Sequence, residues 1–194
     1  MALAKSEGKQ FEDDIKASCE NAGMYIERFK DNPMFGQGQG RRVIASKNPA
    51  DYIAYQFPYM YLLELKSTKG TSFSFSEKII KQNQIDKLLE SQNYYGVIAG
   101  FLFNFRERET KKGTTENKVY FVAIRDFVAF KDSSSSKSIN EEMCSILGFE
   151  VKSTRKVIHY KYDIEEFLLI CQSRNEIGRE IMVSNMEFGE VVNE

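Results

Sequence analysis

The sequence predicts a mixed α/β fold, and three observations carry that expectation. Apolar residues recur at helical spacing near the start, where Phe11, Ile15, Cys19 and Ala22 precede a terminating Gly23. Several later runs are continuously apolar or alternate as strands do, among them residues 95–105, 119–124 and 156–162. Helical and strand patterns interleave along the 194 residues with no internal repeat and no linker-like stretch, so one domain with a substantial core is expected.

Taken in order, residues 5–22 read as a helix and residues 24–29 (MYIERF) as a strand. Residues 31–42 (DNPMFGQGQGRR) read as a loop, and no helical pattern follows the glycines, so a nucleotide-binding turn is not indicated. Residues 50–55 and 60–66 read as two strands joined around Phe57-Pro58. Ser74 with Glu77 has the spacing of a capping box, which predicts a helix to about Ser91. The buried strand 95–105 leads into a charged hairpin loop, the return strand 119–124 and a short helical segment over RDFVAF. After the polar connection 131–137, Ser138 with Glu141 suggests a second capping box opening a helix to Leu147. Asp163 is placed to cap a last helix over 163–172.

Composition narrows the function classes. There are 27 basic and 28 acidic residues, a net charge of −1, which argues against an indiscriminate polycation coating nucleic acid. Local basic stretches at 41–47, 106–118 and 152–161 still leave room for a nucleic-acid enzyme, although each alone reads as a solvated loop. No apolar run reaches the length of a membrane span and no signal-peptide block opens the chain, so a cytoplasmic protein without membrane contact is expected. Cys19, Cys144 and Cys171 are widely separated and fit no zinc spacing, as suits reduced structural thiols. His159 alternates within a strand and reads as structural. Tyr94, Tyr95, Phe101, Phe103 and Phe105 crowd one region, where core packing is favoured over stacking on bases.

The informative stretch is PADYIAYQFPYMYLLELK, from Pro49 to Lys66. Alternation puts Tyr61, Leu63 and Leu65 on one face of the second strand and Leu62, Glu64 and Lys66 on the other. A turn centred between Phe57 and Pro58 sets Asp51 opposite Glu64. Opposed carboxylates repel, and a divalent cation with oxygen preference compensates them. Lys66 then lies one step along the same face, near a phosphate or an attacking water. This is the equipment of phosphodiester hydrolysis. Spacing alone leaves a surface salt-bridge ladder as the simpler reading.

The flanking motifs shift the balance. GKQFEDDI (8–15), PADYI (49–53), LELK (63–66), FSFSEKIIKQNQIDKLLE (73–90), VYFVAIRDFVAF (119–130) and KSINEEMCSILGFEV (137–151) occur in this order. Together they resemble the RecU-type Holliday junction resolvases of the restriction-endonuclease-like, PD-(D/E)xK nuclease superfamily, over a core of about residues 8–151. The resemblance implies a restriction-endonuclease-like core, a mixed central sheet flanked by helices. It implies that Asp51 and Glu64 ligate Mg²⁺, with Mn²⁺ as the alternative, and that Lys66 is the catalytic cation. It adds Glu12 as a first-helix acid supporting the metal shell and Gln84 as a glutamine near the site. It implies four-way branched DNA as substrate, a homodimer, and a role in recombination and repair in a bacterium or bacteriophage.

The chain departs from the family in one respect above all. A short glycine-rich loop at 31–48 stands where the family carries a protruding stalk, with Arg41, Arg42 and Lys47 as candidate phosphate contacts. No recognised motif covers residues 152–194. Three alternatives follow: a restriction-like or nicking endonuclease acting on plain duplex, a DNA-binding module without catalysis, and a structural or interaction protein. The last two leave the opposed carboxylates unexplained.

Overall fold

The computed structural model describes residues 7–30, 48–111 and 113–175. Within them the chain runs α1 (Glu7–Asn21), β1 (Tyr25–Arg28), β2 (Tyr52–Gln56), β3 (Tyr59–Thr68), β4 (Ser72–Ser74), α2 (Gln82–Ser91) and β5 (Val97–Phe105). It continues through β6 (Arg108–Thr110), β7 (Gly113–Thr115), β8 (Lys118–Ala123), α3 (Ile124–Ser133), β9 (Ser138–Asn140), α4 (Glu141–Leu147), β10 (Phe149–Glu150), β11 (Ser153–Lys156) and β12 (His159–Tyr162). A last helix, α5, occupies residues 164–175.

The expected mixed central sheet flanked by helices is present. Its six strands lie in the order β1-β2-β3-β5-β8-β10. β1, β2 and β3 form an antiparallel meander, and β3 then pairs parallel with β5 over nine residues, Met60↔Val97 to Thr68↔Phe105. Parallel neighbours need a crossover, and β4 with α2 supplies it. β8 and β10 complete the sheet antiparallel. Every residue of β5 is buried, as expected for a strand covered on both faces.

Two apolar cores lie on the two faces. One gathers Phe11, Ile15 and Cys19 of α1, Tyr61, Leu63 and Leu65 of β3, and Ile164, Phe167 and Cys171 of α5. The other gathers Leu62, Phe73, Ile85 and Leu88 of α2, Phe101, Phe103 and Phe127. The Phe101–Phe127 ring centroids lie 4.7 Å apart and those of Phe73–Phe103 4.9 Å apart. α1 ends at Gly23, whose φ of +72° suits glycine.

Both expected capping boxes are displaced, for one reason. β4 and β9 pair with each other, Ser74 opposite Ser138, and bury Phe73 and Ile139. This pairing holds both serines extended, where neither caps a helix. The Ser74 hydroxyl instead accepts from the Ser76 amide at 3.2 Å. α2 starts only at Gln82, whose amide donates to Glu77 Oε2 at 2.9 Å. α4 is capped by Asn140, whose Oδ1 accepts from the Met143 amide at 2.9 Å. Asp163 caps α5 as expected, accepting from the Glu166 amide at 3.0 Å.

Candidate active site

β3 carries the centre of the site because its neighbours hold it on both edges and both faces. The β2–β3 register runs Tyr52↔Leu63 to Gln56↔Tyr59, the register the Phe57-Pro58 turn predicts. Asp51 stands one step beyond the first of these pairs. Its Oδ2 accepts from the Leu65 amide at 2.8 Å, and its carbonyl accepts from the Phe29 amide at 2.9 Å. A backbone donor just after β1 and another on β3 therefore fix the residue that precedes β2.

Glu64 is only 1% exposed. Its face of β3 is covered by the second core, so the mixed face is not the surface ladder that spacing alone suggested. Glu64 Oε1 accepts from Lys66 Nζ at 2.8 Å and from Gln84 Nε2. Gln84 Oε1 in turn accepts from Lys66 Nζ and from the Lys81 amide, both at 3.3 Å. The first turn of α2 thus locks the side chains of β3. Burial pushes the Glu64 carboxyl up to about 7, the negative charge of Asp51 pushes the same way, and Lys66 opposes both.

The structure brings together Asp51, Glu64, Lys66 and Gln84. Glu12 stands at the margin: its Oε2 lies 3.2 Å from Arg28 Nε. Burial raises its carboxyl above the usual range, Arg28 opposes this, and Asp51 adds to it. Sequence reading missed Arg28, which faces Tyr52 across the β1–β2 ladder. Its only signal is a strand pairing that spans residues 31–47. Arg41, Arg42 and Lys47 lie outside the described residues. His159 is structural, with Nδ1 2.6 Å from Oδ1 of buried Asp14. The three cysteines are buried and unpaired, and burial pushes the Cys19 and Cys144 thiols up to about 12.

The donor set suits a hard cation. Glu64 Oε2 is buried and receives no hydrogen bond from the protein; the protonated acid can donate to Asp51, but the ionised carboxylate leaves this oxygen unsatisfied, at a cost of about 1–3 kcal/mol unless a cation or donor meets it. Among the described residues no group of three or more His, Cys, Asp or Glu side chains is gathered into a cage. Two carboxylates with the remaining positions left to water and phosphate are what Mg²⁺ accepts.

A mixed sheet presenting a buried glutamate beside a half-buried aspartate, with a lysine beneath a helix start, defines the class: an α/β protein with a candidate hydrolytic centre. The chain belongs to the same family as the SPbeta prophage-derived uncharacterized protein YotM of Bacillus subtilis (strain 168), being 40% identical over 172 residues, 82% of this chain and 83% of that protein. No family model matches it. Among solved structures it is similar to Hjc, a Holliday junction resolvase from Archaeoglobus fulgidus, with TM-score 0.46 and 18% identity over 74% of this chain and 96% of that one. No helix among the described residues is long and apolar enough to cross a membrane.

Proposed function

We propose that the chain is a restriction-endonuclease-like, metal-dependent endodeoxyribonuclease that resolves four-way DNA junctions in recombination and repair. It acts as a homodimer in the cytoplasm. The observation that carries the nuclease reading is the buried Glu64, with one oxygen held by Lys66 and Gln84 and the other turned to Asp51 with no donor for its ionised form. A pure binding module has no use for that costly arrangement. The junction preference and the dimer rest on the order of sequence motifs that resembles RecU-type enzymes.

Asp51 and Glu64 would hold Mg²⁺ or Mn²⁺. When bound, the ion supplies Lewis acidity and lowers the pKa of a coordinated water. The chain's own residues do the rest. Asp51 is oriented by the Leu65 amide, so its second oxygen keeps a fixed direction. Lys66 Nζ donates to Glu64 and Gln84, and sits where it can also donate to a non-bridging phosphate oxygen as charge accumulates there. Gln84 fixes both partners and thereby positions Lys66.

The test is cleavage of a labelled four-way junction beside a linear duplex of equal length, in Mg²⁺ and in EDTA. Paired, Mg²⁺-dependent nicks near the crossover are expected. Asp51→Asn should abolish them while junction binding persists. Equal cutting of both substrates would retain the nuclease and remove the junction preference. Full cleavage by Asp51→Asn would remove the metal site.

A further inference from the structure

We infer that the face of the sheet carrying Glu64 and Lys66 also carries a stacking platform for unpaired nucleobases, built on Tyr25, Tyr55, Phe57, Tyr94 and Tyr95. The inference deepens the nuclease proposal and rests on it for the identity of the ligand.

Strand alternation fixes the face. Tyr52 and Ala54 point into the core of α1 and α5, while Ile53 packs against the opposite core, so Tyr55 shares the side of Ile53. Met60, Leu62, Glu64 and Lys66 point to that same side. Tyr25 is the direct partner of Tyr55, and Tyr55 that of Met60. The Met60 amide donates to the Gly96 carbonyl at 2.8 Å, which brings the Tyr94–Tyr95 turn to the end of the same row. Phe57 tips the adjoining β2–β3 turn. α2 packs over β3 and β5, and among the described residues no helix packs over this part of the β1–β2 surface. The rings are accordingly open, at 60% (Tyr25), 47% (Tyr55), 78% (Phe57), 68% (Tyr94) and 72% (Tyr95) relative exposure.

Position favours a nucleic-acid strand as the occupant. Met60 and Glu64 are four residues apart on one strand, so the row lies about 13 Å from the carboxylates on the same face. That distance is about four nucleotide steps at 3.4 Å per step. Arg125 caps the far end of the row, donating to the Gln92 carbonyl at 3.5 Å and to Asn93 Oδ1 at 3.2 Å. Exposed aromatic rings with a nearby cation are how proteins hold single strands without reading sequence. A substrate whose bases are unpaired a few nucleotides from the cut therefore fits this face better than uninterrupted duplex does.

The test reads base stacking directly and needs no cleavage. Four-way and forked DNA would carry 2-aminopurine at each position from one to six nucleotides from the expected cut, with Ca²⁺ in place of Mg²⁺. Wild type should quench the fluorescence most at three to five nucleotides. Tyr55→Ala with Phe57→Ala should remove the quench and weaken binding to forked DNA by about 5- to 150-fold, the loss of one stacked base. Binding to linear duplex should stay unchanged, and Tyr55→Phe should behave as wild type. Uniform absence of quenching, or equal loss on fork and duplex, overturns the platform. So does a variant that changes only from dimer to monomer in sedimentation, which would assign the row to a second copy of the chain. Cleavage without quenching removes the platform and keeps the nuclease; quenching without cleavage does the reverse.

Discussion

Replacing Glu64 by Gln should stabilise the metal-free protein at neutral and alkaline pH. An acid whose folded-state pKa is raised favours the fold only while it holds its proton. Below pH 4.5, folded and unfolded chains both hold it, and Glu64 carries no penalty. Between 4.5 and about 7 the unfolded chain releases the proton and the folded chain retains it, so stability falls as pH rises. Above that range the loss is complete, at roughly 3 kcal/mol from about 1.36 kcal/mol per pH unit. Glutamine has no proton to lose, and its amide oxygen can still accept from Lys66 and Gln84. The stability difference between Glu64→Gln and wild type should therefore open from near zero at pH 4.5 to roughly 3 kcal/mol at pH 8, or about 6–12 °C in Tm for a chain of this size. The assay is urea unfolding of both proteins in EDTA across that range. Glu12 and Asp126, also raised by burial, titrate in both proteins and cancel in the difference. Adding Mg²⁺ should stabilise wild type and leave the variant unmoved. A pH-independent difference, or one that favours wild type at pH 8, refutes the reasoning.

Two further substitutions probe the supports of the site and of the fold. Lys66→Met removes the cation from Glu64 Oε1, so the pH window of the wild-type loss should move upward in the same unfolding assay, and junction cleavage should fall by about 10²–10³-fold. Asn140→Ala removes the α4 cap and should cost about 1 kcal/mol, seen as a Tm lower by about 2–4 °C with cleavage unchanged.

How much of this was legible in sequence depends on how far apart the cooperating residues lie. The β2–β3 register is local: one turn at Phe57-Pro58 and strict alternation suffice to set Asp51 beside Glu64. The helix over Phe11, Ile15 and Cys19 is equally local. The burial of Glu64 is not. It is made by Gln84 and α2, twenty residues on, and by Phe101, which faces Glu64 across the parallel β3–β5 ladder. Parallel partners leave no turn signature between them. The two displaced caps fail for the same reason, since nothing near Ser74 announces that Ser138 will pair with it. Ser74/Glu77 and Ser138/Glu141 satisfy a rule about four residues, and a contact between residues more than sixty apart overrides it. Arg28 was hidden likewise, because its approach to Glu12 requires α1 and β1 to be placed together.

The phenylalanines that build the second core also tune the acid. Phe101 and Phe103 are ladder partners of Glu64 and Lys66, stack on each other at 5.1 Å, and meet Phe127 and Phe73 on the same face. Their rings expel water, which stabilises the sheet and at the same time disfavours a charge on Glu64. Fold stability and acid strength are thereby opposed at one residue. A cation between Asp51 and Glu64 resolves the opposition, because it neutralises the charge that the rings disfavour and satisfies the oxygen they leave without a donor. A site on the most enclosed strand of the sheet also gains fixed geometry, since β3 cannot shift without breaking pairings on both edges. The same enclosure makes the carboxylate a poor surface ion pair and a good buried ligand.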